Sequence, residues 1–175
     1  MRKLETIANT DGLTGVANRS FFDQELKKTI KNSSMFPDIY FSLLIIDING
    51  LKRINDNLGH AKGDETIKAV ADMLASVCRE TDTLSRMGGD EFIILLPATD
   101  SNQTLTVQNR IRQKEKNLTL ICRHSGHEAV KVPIRISIGL AGSDETAPEK
   151  VMKRADQRMY IDKENFYQQT IRNLP

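Results

Sequence analysis

The chain has 175 residues, with 25 Lys and Arg against 23 Asp and Glu and a net charge of +2. That length suits one domain with a real core, and the mixed charges give no electrostatic case for nucleic acid or membrane binding. Trp is absent, no apolar stretch approaches the roughly 20 residues of a membrane helix, and no signal peptide is visible, so a cytoplasmic location is the default expectation.

Residues 1–8 read as the last turns of a helix, with Leu4, Ile7 and Ala8 at helical spacing. Residues 1–9 are therefore expected to be a helical lead-in from an upstream domain, and 10–175 the domain proper. Thr10 to Arg19 is punctuated by Gly, Asp and Asn as a structured loop. Asn18 or Ser20 caps a helix predicted to reach Lys31, with Phe21, Phe22, Leu26 and Ile30 inward. Tyr40 to Ile46 is an almost continuous apolar run, as in a central strand covered on both faces. It ends in Asp47-Ile48-Asn49-Gly50. An acid there suits a metal or phosphate site, although Asp and Asn are also plain turn formers.

Leu51, Ile54 and Leu58 predict a short helix closed by Gly59. Asp64 is expected to cap a second helix from Glu65 to Arg79, with Ile67, Val70, Ala71, Leu74, Val77 and Cys78 buried. The tight turn at Gly59 and Gly63 brings Asn55 and Asp64 together. A carboxylate and an amide so placed can read the polar edge of a guanine, or can simply be caps. The two cysteines, Cys78 and Cys122, have no metal-ligand spacing, and Cys78 reads as a reduced core thiol.

Residues 82–97 read as two strands joined at Gly88-Gly89, a pair able to take the positive φ of a tight hairpin. Asp90 and Glu91 then stand at the mouth of the buried run Phe92 to Leu96. Taken alone, this pattern is equally a solvated hairpin tip. A helix follows from Asp100 or Ser101 to Lys116, with Leu105, Val107 and Ile111 inside. Strands are expected at Leu118–Cys122 and Val130–Leu140, joined by a polar turn at 123–129. A last amphipathic helix runs from Ala147 to Tyr160, with Val151, Met152, Ala155, Met159 and Tyr160 inward and Lys163 just beyond. The whole is an α/β sandwich with a mostly antiparallel central sheet flanked by helices.

Four ordered motifs carry a resemblance. They are Asp11 to Arg19, Asp47 to Asp64, Gly88-Gly89-Asp90-Glu91-Phe92, and the late pair Ser137-Ile138-Gly139 and Ala155-Asp156 with Tyr160 and Lys163. Over essentially its whole length the chain resembles the GGDEF domain of bacterial diguanylate cyclases. The resemblance implies a palm-like fold, similar to nucleotidyl cyclases and polymerase palms. It implies condensation of two GTP to cyclic di-GMP with release of two pyrophosphates, in a homodimer whose two domains each hold one GTP.

By the same resemblance, Asp47, the Ile48 carbonyl, Asp90 and Glu91 hold two Mg2+ or Mn2+ ions, which suits the preference of hard cations for oxygen. Asp90 accepts the 3′-hydroxyl proton, with Glu91 beside it, and Lys52 stabilises charge at the phosphates. Asn55 and Asp64 read guanine, His60 lies near the nucleotide, and Lys163 contacts phosphate. Arg79 and Asp82 match the family's Arg-x-x-Asp product-inhibition motif, with Arg110 or Arg112 a further contact for cyclic di-GMP. The chain departs from the family at Asn49, at Leu51 and at Tyr167, where the family usually has a second phosphate-contacting arginine. Arg154 or Arg158 is a candidate to compensate. The alternative is a domain that binds GTP or cyclic di-GMP without turnover.

Overall fold

The computed structural model describes residues 9–122 and 129–172. Its elements are β1 (Ala17–Asn18), α1 (Arg19–Met35), β2 (Phe41–Asn49), α2 (Leu51–Leu58), α3 (His60–Ala75), β3 (Thr83–Gly88), β4 (Glu91–Pro97), α4 (Ser101–Glu115), β5 (Thr119–Cys122), β6 (Val130–Pro133), β7 (Arg135–Gly142) and α5 (Val151–Arg172). The expected helical lead-in, apart from Asn9, and the polar turn, apart from Ala129, lie outside the described residues.

Five strands form one sheet in the order β1-β3-β4-β2-β7, antiparallel except for the short β1–β3 pair. All nine residues of β2 are buried, because helices cover both faces of the sheet. Successive side chains of a strand face opposite ways. Leu44, Ile46 and Ile48 accordingly join the core with α3 and α4. Leu43 and Ile45 join a second core with Phe22 of α1 and Val151, Ala155 and Met159 of α5. Burying each such side chain is worth about 1.5–3 kcal/mol relative to exposure. β5 and β6 form a separate two-stranded sheet. The run expected as one strand over Val130–Leu140 is thus two, because Val130–Pro133 pairs with β5 whereas Arg135–Gly142 pairs with β2.

Other expectations are corrected. Helix α3 starts at His60 directly after Gly59, whose φ of 85° turns the chain, so Asp64 lies inside the helix and is not its cap. The helix ends at Ala75, and Val77 and Cys78 sit in the turn that follows. Leu105 is exposed, because the buried stripe of α4 runs through Thr104, Val107, Ile111 and Glu115. Tyr160 is exposed because it lies one step, about 100°, from the inward line of Val151, Ala155 and Met159. Helix α5 also continues well past Tyr160 to Arg172. At its N-terminus, α1 takes Asn18 as its cap, the side chain accepting from Phe21 N–H at 3.0 Å.

Strand β7 lies at the edge of the sheet, and the flanking helices close its open side. Glu115 accepts from Ile136 N–H at 2.9 Å, and Asp162 accepts from Ile138 N–H at 2.8 Å. Arg112 donates to the Ile136 carbonyl and Arg158 to the Leu140 carbonyl, each at 2.8 Å. Strand groups that would otherwise face solvent are satisfied by side chains. Helix α5 lies so close to β7 that a Cβ at Gly139 would collide with the Ala155 carbonyl and the Met159 backbone.

Candidate active site

Asp47, Asp90 and Glu91, all singled out from the sequence, lie at one end of the sheet. Asp47, at the end of β2, is paired in register with Glu91 of β4 on one side and Ser137 of β7 on the other. The hairpin of β3 and β4 turns at Gly88 (φ 135°) and Gly89 (φ 53°), as their sequence suggests. Its position is held twice. The Ile48 N–H donates to the Asp90 carbonyl at 3.1 Å. Arg86 donates through Nε and Nη2 to the Gly89 carbonyl at 3.1 and 2.8 Å, and through Nη1 to Asp11 at 3.1 Å. Asp11 is itself fixed by Thr14, whose hydroxyl donates to it at 2.7 Å.

Asp47 is 6% exposed. Its Oδ2 accepts from Lys163 Nζ at 2.8 Å, while Oδ1 is buried with no partner. Burial pushes its pKa up, the Lys163 hydrogen bond opposes this, and Asp90 adds to the rise. Glu91 is pushed up by burial and then by Asp47, Asp156 and Asp90, against a small pull from Arg19. Burial works against the charge of Lys163, but Asp47 and Asp90 overcome it and hold its pKa above the usual lysine value. Sequence reasoning gave Arg19 and Asp156 no role in the site. Their places inside two of the matched motifs were the signal that could have found them.

Among the described residues, no three carboxylate, imidazole or thiol groups stand close enough to hold a metal ion. Asp47, Asp90 and Glu91 are electrostatic neighbours but do not converge, and Lys163 supplies the positive charge at Asp47. The groups still suit a divalent ion. They are hard oxygen donors whose like charges raise the pKa of Asp47 and of Glu91, and one buried oxygen, Asp47 Oδ1, lacks any partner.

Lys52 and His60 are exposed on α2 and at the start of α3. Asn55 lies directly over Gly63, where a Cβ would collide with its Oδ1. Gly63 therefore lets α2 and α3 close around the Asn55 side chain. Arg154 and Arg158 both pair with Glu145, so neither takes the position of the missing arginine near Tyr167.

Arg79 and Asp82 close a turn. Asp82 Oδ2 accepts from Arg79 N–H at 2.7 Å, and Asp82 N–H donates to the Arg79 carbonyl at 3.1 Å. The Cys78 thiol beside them is pushed up to about 12 by burial and by Asp82, while Arg110 opposes the rise. Arg110 is thus brought to the same patch from α4. Arg112 is instead committed to Glu115 and Asp162. Both cysteines are free.

A family model described as diguanylate cyclase, GGDEF domain, matches residues 8–169. The chain is 36% identical over 154 residues to the response regulator PleD of Caulobacter vibrioides, covering 88% of this chain and 34% of that protein. It therefore spans only a minor part of that relative's length. Among solved structures it is similar to the coiled coil and GGDEF domain of DgcB from Caulobacter crescentus in complex with c-di-GMP. That match has a TM-score of 0.83 and 30% identity, covering 94% of this chain and 85% of the other. It is also similar to the diguanylate cyclase SiaD of Pseudomonas aeruginosa, solved in complex with its activator SiaC. There the TM-score is 0.80 and the identity 28%, covering 94% and 61%.

Proposed function

We propose that this chain, which belongs to the GGDEF domain family of diguanylate cyclases, condenses two GTP molecules into cyclic di-GMP with release of two pyrophosphates. The observation that carries this reading is the partnerless Oδ1 of Asp47, buried between β4 and β7 with Asp90 and Glu91 as charged neighbours. A buried carboxylate oxygen without a hydrogen bond is costly, and a bound cation would remove that cost.

Each chain holds one GTP, and two chains face each other as a homodimer. Asp64 accepts from the guanine N1–H and 2-amino group, and the Asn55 amide completes the recognition. His60 lies beside the nucleotide. Lys52 and Lys163 offset charge on the triphosphate, Lys163 turning to it from Asp47. Asp90 takes the proton of the 3′-hydroxyl, whose oxygen bonds to the α-phosphorus of the facing nucleotide as pyrophosphate leaves. Such a transfer is accelerated chiefly by positioning and charge stabilisation. Asp47, the Ile48 carbonyl, Asp90 and Glu91 are the groups that would hold magnesium or manganese, whose contribution is to neutralise the phosphate oxygens.

Product feeds back at Arg79 and Asp82, with Arg110 alongside. An Arg fork and a carboxylate together suit the guanine and phosphate groups of cyclic di-GMP. In the cell the domain is cytoplasmic and follows an upstream sensor domain. No described helix is long and apolar enough to cross a membrane.

The test is incubation of the chain with GTP and magnesium, with analysis of the products. Cyclic di-GMP and pyrophosphate are expected, at a rate rising faster than linearly with protein concentration. Product added beforehand should slow wild type but not Arg79→Ala. One observation favours a second reading, binding without turnover: Tyr167 stands where a phosphate-binding arginine is expected, and neither Arg154 nor Arg158 replaces it. GTP bound but left intact would select that reading.

A further inference from the structure

We propose that a cavity of about 330 Å³ beside the start of α2 is a second ligand site, for a small planar anion with an apolar body. The cavity opens between α2, β6 and the second half of α5. Its size falls at the lower end of small-molecule sites, roughly 300–1,000 Å³. Ile54, Leu58, Pro133 and Phe166 give it apolar walls. The Phe166 ring is set edge-on to Tyr167, with centroids 5.2 Å apart, so that wall is a packed aromatic pair.

The polar groups of the lining favour an anion. No acidic residue lines the cavity. Arg53 is exposed, and among the described residues it has no ion pair. Asn49 is 7% exposed, and its Oδ1 accepts from the Ser137 hydroxyl at 3.0 Å, which leaves Nδ2 as a buried donor without a partner. A guanidinium and a free amide donor beside aromatic walls suit an aromatic carboxylate. The guanidinium can fork onto the carboxylate while the ring packs on the apolar side.

The cavity is distinct from the proposed guanine site and, through Tyr167, borders the proposed triphosphate position. Arg53 and Asn55 are two residues apart on α2, so they point about 200° apart around its axis. One face of α2 meets Gly63 and α3, and the other meets the cavity. Gly50, whose φ of 74° starts α2, also lines the cavity, so an occupant touches the helix that carries Lys52 and Asn55.

The experiment is calorimetric titration of naphthoate and of its uncharged analogue, naphthalenemethanol, into the full chain. Wild type should bind naphthoate at one site. Arg53→Gln should weaken naphthoate about tenfold, the loss of one charge-assisted contact, and leave the alcohol unchanged. Thr170→Trp fills the cavity from α5 and should abolish binding of both, with an unchanged melting temperature. The proposal is overturned if wild type does not bind naphthoate, or if either variant binds it like wild type.

Discussion

Asp162 and Lys163 are neighbours on α5, yet they serve two opposite kinds of charged cluster. Asp162 belongs to the network that closes the β7 edge, where Arg112, Glu115 and the strand satisfy one another. Lys163 belongs to the end of β2, where Asp47 keeps an oxygen without a partner and where Asp90 and Glu91 add like charge. A fully satisfied cluster fixes structure, whereas the unsatisfied one is held in place by the fold around it and is available to a ligand.

That contrast can be broken by substitution. The largest expected effect on stability is on the satisfied side. Glu115→Ala leaves the Ile136 N–H without a partner and Arg112 with only Asp162 and the Ile136 carbonyl, and should lower unfolding free energy by about 1–3 kcal/mol in urea titration. A loss below 1 kcal/mol would show that the network is not structural. On the other side, Asp90→Ala and Glu91→Ala should each cut cyclic di-GMP formation by roughly 10²–10³-fold, with melting temperature unchanged or raised. Near wild-type turnover in either variant would end the assignment.

A smaller effect is expected at Gly63. Gly63→Ala displaces only the end of a flexible side chain, Asn55, so stability should barely change. Preference for GTP over ATP should fall by about 1–3 kcal/mol per hydrogen-bonding group left unpaired. Binding of both nucleotides to wild type and variant, compared by calorimetry, checks this. An unchanged preference would remove Asn55 from recognition.

The smallest effect is in pH. Asp47 and Glu91 have folded pKa values above the ordinary 3.8 and 4.5. The folded chain therefore holds protons that the unfolded chain releases, and their contribution to stability declines as pH rises through that interval. Asp11 runs the other way. Burial opposes its charge, but hydrogen bonds from Thr14 and Arg86 prevail and lower its pKa, so its contribution is lost as pH falls below 3.8. Magnesium favours ionised carboxylates. It should raise the melting temperature at pH 7.5 and have little effect near pH 4. Equal shifts at both would place the ion elsewhere.

The sheet was legible because its pattern is local. The apolar runs at β2 and β4, and the Gly pair between β3 and β4, have few alternatives. The inward line of α5 was legible as far as Met159, and Lys163 lies one turn further on that line. What it touches was not legible, since Asp47 is 116 residues away and only the completed sheet brings the two together. Asp64 misled because the rule for caps favours an acid, whereas Gly59 starts α3 by its backbone alone. The clamp of Arg86 on Asp11 and the edge network at β7 likewise join residues far apart in sequence, with no local signal.

The bare α-carbon of Gly139 sets a dimension of the Asp47 end of the sheet. Helix α5 rests against β7 there, with Ala155 and Met159 in contact, and Lys163 stands four residues beyond Met159. A helix advances about 1.5 Å per residue, so that support lies only about 6 Å before the lysine. The glycine acts as the fulcrum of a short lever. A single added methyl would tilt the arm, and its tip is the ammonium group that now reaches Asp47.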